Sequence, residues 1–265
     1  MASFIHDGVP IAYDDLSPPG GPERTIVLIH GFASNRAEGW KRTGWYAAFE
    51  RRRMRVIALD QRGHGESGKL YEPQDYERGK LAGDVLALMD RLGVGRADVF
   101  GYSMGTRTAL QLAMDAPERV SNLILGGIGG KLLEAGPAVV GEPLAEAMLA
   151  DDPSTITQPM LRSFRQFADE QGEDRKALAA VTRVKNPPLD RDAMANLPMP
   201  VLVVAGVGDE GAGDPEALAR IFPHGHGVRV PGCDHFSAIP HALTKAAVFD
   251  FLDGLMDEDE FPPFE

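Results

Sequence analysis

The chain has 265 residues, 43% of them hydrophobic and 25% charged, enough apolar material for one large α/β domain carrying an insertion. Its net charge of −12 argues against nucleic acid or an anionic membrane surface as the main partner, because like charges repel. Its single cysteine, Cys233, excludes an intramolecular disulfide and leaves no cysteine spacing for a metal site.

Taken in order, Ser3–His6 and Ile11–Asp14 are short alternating runs on either side of Asp7-Gly8, the pattern of an antiparallel hairpin. The opening residues meet charge before an apolar run builds, and no apolar stretch of about 18 residues follows, so the expectation is a cytoplasmic protein without signal peptide or membrane span. After a Pro/Gly loop at 17–22, Thr25–Ile29 is a continuous β-branched strand of the kind buried on both faces, and it ends in His30-Gly31-Phe32. A helical stretch around Trp45–Arg52 precedes the strand Met54–Leu59, which ends at Asp60 and a glycine-rich loop, Gln61-Arg62-Gly63-His64-Gly65-Glu66-Ser67-Gly68. Arg51, Arg52, Arg53 and Arg55 read as a solvated helix end rather than a binding patch. Tyr76–Arg91 has helical apolar spacing through Leu81, Val85 and Leu88.

The strand Ala97–Gly101 then runs into Gly101-Tyr102-Ser103-Met104-Gly105, and a helix-like run follows from Thr106 to Met114. A serine on so sharp a strand–turn–helix junction sits in strained backbone. Side chains at 101 and 105 would strike neighbouring chain, so both places require glycine. The following helix directs its N-terminal N–H groups at charge forming near Ser103. This is the pattern of a nucleophile elbow.

Val120–Leu125 is the next strand, and the rhythm then breaks. From about 126 to 196 there are helical patches, Gly141–Ala150, Ile156–Glu170 and Arg175–Val181, but no buried-strand run. This stretch is expected to form a helical cap, residues 126–196, inserted between core segments 1–125 and 197–256. Alternation resumes with the strand Val201–Ala205, a helix Asp214–Ile221, a short strand Gly227–Val230 and a helix Ile239–Leu255. The acidic, proline-containing tail 257–265 is expected to be mobile. Strands alternating with helices predict a mostly parallel sheet of about eight strands covered on both faces.

Sheets of this type collect functional residues at the carboxyl ends of their strands. Besides Ser103, that rule selects Asp209, just beyond Val201–Ala205, and His235, in the loop after Gly227–Val230. The order is nucleophile, acid, base. Asp234 adjoins His235 and would have to fold back on its neighbour. Asp214 precedes Pro215 and reads as a helix N-cap. His30, Asp60, Arg62 and His64 read as structural. His6, His224, His226 and His241 read as surface residues, and Cys233 as a small buried apolar group.

Four signatures in order, His30-Gly31-Phe32, Asp60 through Ser67, Gly101 through Gly105, and the Asp209/His235 pair, resemble the α/β-hydrolase fold superfamily over the whole chain apart from the cap. The resemblance implies a Ser103 nucleophile, a His235 base and an Asp209 acid. It also implies an oxyanion hole made by the backbone N–H groups of Phe32 and Met104. Relatives that open epoxides or displace halide carry aspartate at the elbow, so Ser103 points away from alkyl-enzyme chemistry. The chain departs from many relatives in having Thr106 where they have a further glycine, a matter of helix packing. The modest cap resembles those of carboxylesterases, enol-lactonases, cofactor-free perhydrolases and carbon–carbon bond hydrolases. Hydrolysis of a small ester, lactone or thioester through an acyl-enzyme is therefore expected, with no metal and no organic cofactor. Some members of the fold with intact triads act instead as ligand receptors with slow turnover.

Overall fold

The computed structural model describes residues 2–134 and 141–256, so the tail expected at 257–265 lies outside the described residues. Eight strands form one sheet: β1 (Ala2–His6), β2 (Val9–Leu16), β3 (Arg24–Ile29), β4 (Met54–Leu59), β5 (Ala97–Tyr102), β6 (Val120–Gly126), β7 (Val201–Gly206) and β8 (Gly225–Val230). Their spatial order is β1-β2-β4-β3-β5-β6-β7-β8. β1 pairs with β2 and β2 with β4 in antiparallel fashion; every later pairing is parallel. The fold class expected from the sequence is therefore the one observed.

The central strands are apolar over most of their length because helices cover both faces, and the two-residue period deals their side chains alternately to the two sides. In β3, Val27 and Ile29 join one core cluster while Ile26 and Leu28 join the other; in β4, Ile57 and Leu59 part from Val56 and Ala58 in the same way. The first face packs under α2 (Arg78–Arg91), α3 (Met104–Asp115) and α8 (Pro215–Ala219). The second packs under α1 (Trp45–Arg51) and α9 (Ala242–Leu252), where Trp40, Trp45, Phe49 and Phe100 supply the bulk. Trp45 stacks on Phe49 with ring centroids 5.2 Å apart, and its indole N–H donates to the Ile239 carbonyl at 3.0 Å. α9 begins three residues later than its apolar pattern suggested, because the His241 ring accepts the Leu243 N–H and caps the helix there.

Between β6 and β7 lie α4 (Glu142–Leu149), α5 (Pro159–Gln171), α6 (Arg175–Arg183) and α7 (Arg191–Ala195). α4, α5 and α6 share a cluster of their own around Leu144, Met148, Leu161 and Leu178, which reaches the core through Ala33 and Phe32. Met194 of α7, a helix too short to stand out in the sequence, packs instead into the sheet's first core. The arginines after α1 behave as solvated chain: Arg52 pairs with Asp253, Arg53 with Glu23 and Arg55 with Asp15.

Candidate functional site

Ser103 stands between the end of β5 and the start of α3 with φ 53° and ψ −117°, a conformation that a residue with a side chain rarely adopts. The turn closes so tightly that a Cβ at position 101 would lie 2.4 Å from the Gly105 carbonyl oxygen. One at 105 would lie 2.1 Å from the Ile29 oxygen. Both glycines are therefore obligatory, as their spacing around the serine indicated. Thr106, the departure from the family pattern, is buried, and its hydroxyl donates to the Ser103 carbonyl, tightening the first turn of α3.

Strand ends bring the remaining candidates to this turn. Asp209 follows β7, is 5% exposed, and accepts the His235 Nδ1–H at 2.6 Å. A carboxylate at Nδ1 fixes the neutral ring as the Nδ1–H tautomer. Nε2 is then free to accept the Ser103 hydroxyl, 2.9 Å away. Three residues separated by as many as 132 positions thus form one hydrogen-bonded chain. Such a chain can pass the hydroxyl proton to the ring while the carboxylate stabilises the cation that forms. Gly31 lies against the serine: a Cβ there would be 3.1 Å from the Ser103 Cβ, and this closeness sets the Gly31–Phe32 peptide beside the elbow. Neither the Phe32 nor the Met104 backbone N–H donates to a partner among the described residues.

The rival carboxylates are occupied. Asp214 caps α8 through the Glu216 N–H and pairs with Arg229. Asp234 accepts from the Phe236 and Ser237 N–H groups and from the Ser237 hydroxyl; those Ser237 bonds hold its carboxyl below the usual carboxylate range.

The histidines and the glycine-rich loop form the buried support. His30 donates from Nδ1 to the Gly31 carbonyl at 2.8 Å and accepts the Gln61 N–H at Nε2, 3.0 Å away. Gln61 returns a bond to the His30 carbonyl and accepts the Thr108 hydroxyl, tying two loops to α3. Burial lowers the pKa of His30 and pushes that of His64 well below the ordinary histidine value, the neighbouring His30 adding to the latter effect. Asp60 accepts the Arg36 and Glu66 N–H groups and the Arg36 guanidinium. Arg62 and Asp84 form a bidentate pair, 2% and 1% exposed, with both bonds at 2.7 Å. His6, read as a surface residue, is half-buried, and its Nδ1 lies 2.8 Å from the buried Asp84 carboxylate, so it joins the pair from the surface side. Cys233 is buried with Val204, Val230 and Ala238, as its isolation suggested.

Sequence reasoning missed four contributing residues. The Tyr102 hydroxyl donates to the His235 carbonyl at 2.6 Å, holding the loop that carries the ring. Its place inside the elbow marked it only as the variable residue of the motif. Glu173, between α5 and α6, accepts the Gly65 N–H at 2.9 Å and the Asn35 amide at 3.2 Å, joining the inserted helices to the loop after β4. Nothing local identifies it. Phe164 and Phe167 of α5 form an aromatic group with Phe32, Phe236 and the His235 ring. Their helical spacing was legible, but not the direction they face. Two surface clefts of about 310 and 330 Å³ lie elsewhere, the first along Asp60, Glu66 and Glu173, the second along α4 and Ile156; neither is lined by Ser103, Asp209 or His235. Among the described residues no group of three His, Cys, Asp or Glu side chains is placed to hold a metal ion, and no helix is long and apolar enough to cross a membrane.

Comparison with known proteins agrees with this architecture. The family model described as alpha/beta hydrolase fold matches residues 24–176, more than half of the chain. The chain is 31% identical over 222 residues to the dihydrolipoyllysine-residue acetyltransferase component of the acetoin cleaving system of Pseudomonas putida, covering 79% of this chain and 58% of that protein. It is 32% identical over 205 residues to a 2-hydroxy-6-oxononadienedioate/2-hydroxy-6-oxononatrienedioate hydrolase of Burkholderia vietnamiensis, covering 73% of this chain and 66% of the relative. The chain thus spans less than two thirds of the length of either relative. Among solved structures, a hydrolase from Pseudomonas aeruginosa superposes with a TM-score of 0.75 at 26% identity, over 95% of this chain and 97% of that one.

Proposed function

Because the chain belongs to the alpha/beta hydrolase fold family, we propose that it hydrolyses an ester, lactone or thioester of a small molecule through an acyl-enzyme on Ser103. The observation that supports this reading is the hydrogen-bonded chain Ser103–His235–Asp209, set on an elbow beside two N–H groups that donate to nothing else among the described residues. In the proposed cycle the Ser103 oxygen attacks the substrate carbonyl while its proton passes to His235 Nε2. The tetrahedral oxyanion receives the N–H groups of Met104 and Phe32, with the N-terminus of α3 adding its dipole. As the tetrahedral centre collapses, His235 gives that proton to the leaving oxygen or sulfur. A water molecule then attacks the acyl-serine, its proton again taken by His235, and the acid leaves with Ser103 restored.

The name of the Burkholderia relative specifies a dioate and that of the Pseudomonas putida relative an acetyl transfer; both belong to carbonyl chemistry that a serine–histidine pair can serve. No step of this cycle calls on a metal or a cofactor. Ser103→Ala is expected to lower kcat/KM for a short 4-nitrophenyl ester by about 10⁴–10⁶ with the fold preserved. Intact-mass measurement after treatment with a fluorophosphonate checks the assignment: the wild type should gain one adduct, mapped to Ser103, and the variant none. An adduct on another residue, or undiminished turnover by the variant, would remove Ser103 from the reaction.

A further inference from the structure

We infer that Arg107, backed by Arg78, binds a carboxylate on the acyl group of the substrate, so that the site selects acyl chains ending in an anion. The inference rests on the acyl-enzyme reading and adds the substrate class. Of the four buried arginines among the described residues, three face a carboxylate: Arg36 pairs with Asp60, Arg62 with Asp84 and Arg165 with Asp169. Arg78, 8% exposed, has none; neither Asp75, which lies toward Lys80, nor Glu77 forms an ion pair with it. One of its amino groups donates to the Pro187 carbonyl at 2.6 Å, its Nε has no hydrogen-bond partner, and the charge that bears on it is that of Arg107. Arg107 in turn makes no hydrogen bond or ion pair with any described residue. Burial, and after it the Arg107 charge, hold the Arg78 guanidinium below the ordinary arginine pKa; burial lowers that of Arg107 as well. Arg107 is nevertheless solvent-exposed. A side chain that is both desolvated and exposed lies in a recess open on one side, within reach of an anion. In a chain of net charge −12, two adjoining arginines without a carboxylate are a local exception that an anionic group would offset.

The pair stands on the acyl side of Ser103. Arg107 is four residues beyond Ser103 and three beyond Met104 along α3, so it shares a helix face with Met104, and its Cα lies about 6 Å along the axis from the serine. Helical side chains lean toward the N-terminus, so the Arg107 stem covers the turn that carries Met104. The sheet order sets the direction. β5, which leads into Ser103, has β6, β7 and β8 on one flank and β3 and β4 on the other. Asp209 and His235 follow β7 and β8, whereas Arg78 opens α2, the α-helix that follows β4. His235 must face the leaving oxygen or sulfur to protonate it, so the leaving group lies toward the first flank and the acyl chain extends toward the second. A carboxylate there meets the Arg107 guanidinium, whose planar fork can take both oxygens, and it also offsets the more deeply buried Arg78 charge. A neutral chain end would leave both charges uncompensated.

The test compares the 4-nitrophenyl monoesters of hexanedioic and octanedioic acid with the same esters in which a carboxamide replaces the free carboxylate. At one chain length at least, wild-type kcat/KM is expected to favour the carboxylate by about tenfold or more. Arg107→Gln should cut that ratio at least about tenfold, chiefly through KM. Arg107→Lys should retain part of it, because the charge remains and the fork is lost. Raising NaCl from about 0.05 M to about 0.5 M should narrow the wild-type ratio. A ratio in Arg107→Gln equal to that of the wild type would overturn the inference, as would a wild type that shows no preference, or prefers the amide, at both lengths. So would turnover of none of these esters by protein that a fluorophosphonate still labels at Ser103. If Arg107→Gln does not fold, the wild-type ratio and its salt dependence decide. Unchanged turnover in Ser103→Ala would instead defeat the acyl-enzyme reading, so the two failures are distinguishable.

Discussion

Three aspartates lie close to His235 in fold or sequence, and hydrogen bonding sorts them. Only Asp209 reaches the ring; Asp214 is spent on a helix cap and an arginine, and Asp234 on the turn that follows it. Asp209→Asn offers Nδ1 an amide in place of a pure acceptor and allows the unproductive tautomer. It should cost roughly 10⁴ in kcat, whereas Asp234→Asn should cost far less. Steady-state rates with folding checked by circular dichroism decide this; a crippled Asp234→Asn beside a near-normal Asp209→Asn would reverse the assignment. Tyr102 acts one step further out. Its buried hydroxyl holds the His235 backbone, so Tyr102→Phe should lower kcat about five- to tenfold with little change in KM, the signature of a loosened base rather than lost binding. A rise in KM with kcat intact would assign the hydroxyl to substrate binding instead. The sequence made Ser103, Asp209 and His235 legible because strand ends and glycines are local signals. It left Tyr102 obscure because its partner is a backbone carbonyl 133 positions away.

At the scale of elements, the buried strands were plain because covering both faces makes each of them mostly apolar. The hairpin was plain because Asp7-Gly8 supplies the positive φ its turn needs. The helices between β6 and β7 were visible as helices, yet their docking was not, since that depends on pairs such as Glu173 and Gly65, 108 positions apart. Glu173 shows how this docking responds to pH. Burial raises its pKa above the ordinary glutamate value, against the bonds from Gly65 and Asn35 that favour the charge. A carboxyl whose folded pKa is raised contributes most below its unfolded pKa, and that contribution is lost as pH rises through the folded pKa. Glu173→Gln keeps an acceptor for Gly65 and removes the titration. The variant should therefore gain on the wild type, in free energy of urea unfolding, between about pH 4.5 and neutrality. A difference moving toward the wild type as pH rises would show that the charged carboxylate is the form this contact favours, and one independent of pH that the contact favours neither form.

For the whole molecule, the dominant pH effect should come from the opposite sign. His30 and His64 are fully buried, their ring centroids are 5.2 Å apart, and burial lowers both pKa values, so the folded protein holds both rings neutral. The unfolded chain takes up those protons near the ordinary histidine pKa of about 6.5, while the folded chain does not. Here the unfolded state binds more protons, so stability falls as pH drops through that value and continues to fall until the lower folded pKa values are reached. Each ring adds a slope of up to about 1.4 kcal/mol per pH unit. Glu173 pulls the other way but is one group against two. The support these rings give cannot survive their protonation: His30 Nε2 must accept the Gln61 N–H, and a second charge would face the first across a short, dry distance. Urea unfolding at about pH 7.5, 6.5 and 5.5 should therefore show a loss of roughly 1–3 kcal/mol over the last interval, with activity falling in parallel only where the folded fraction falls. A free energy that is flat or rising toward pH 5.5 would mean that the two histidines are charged in the folded protein, and the loops carrying Phe32 and Asp60 would then need a different anchor.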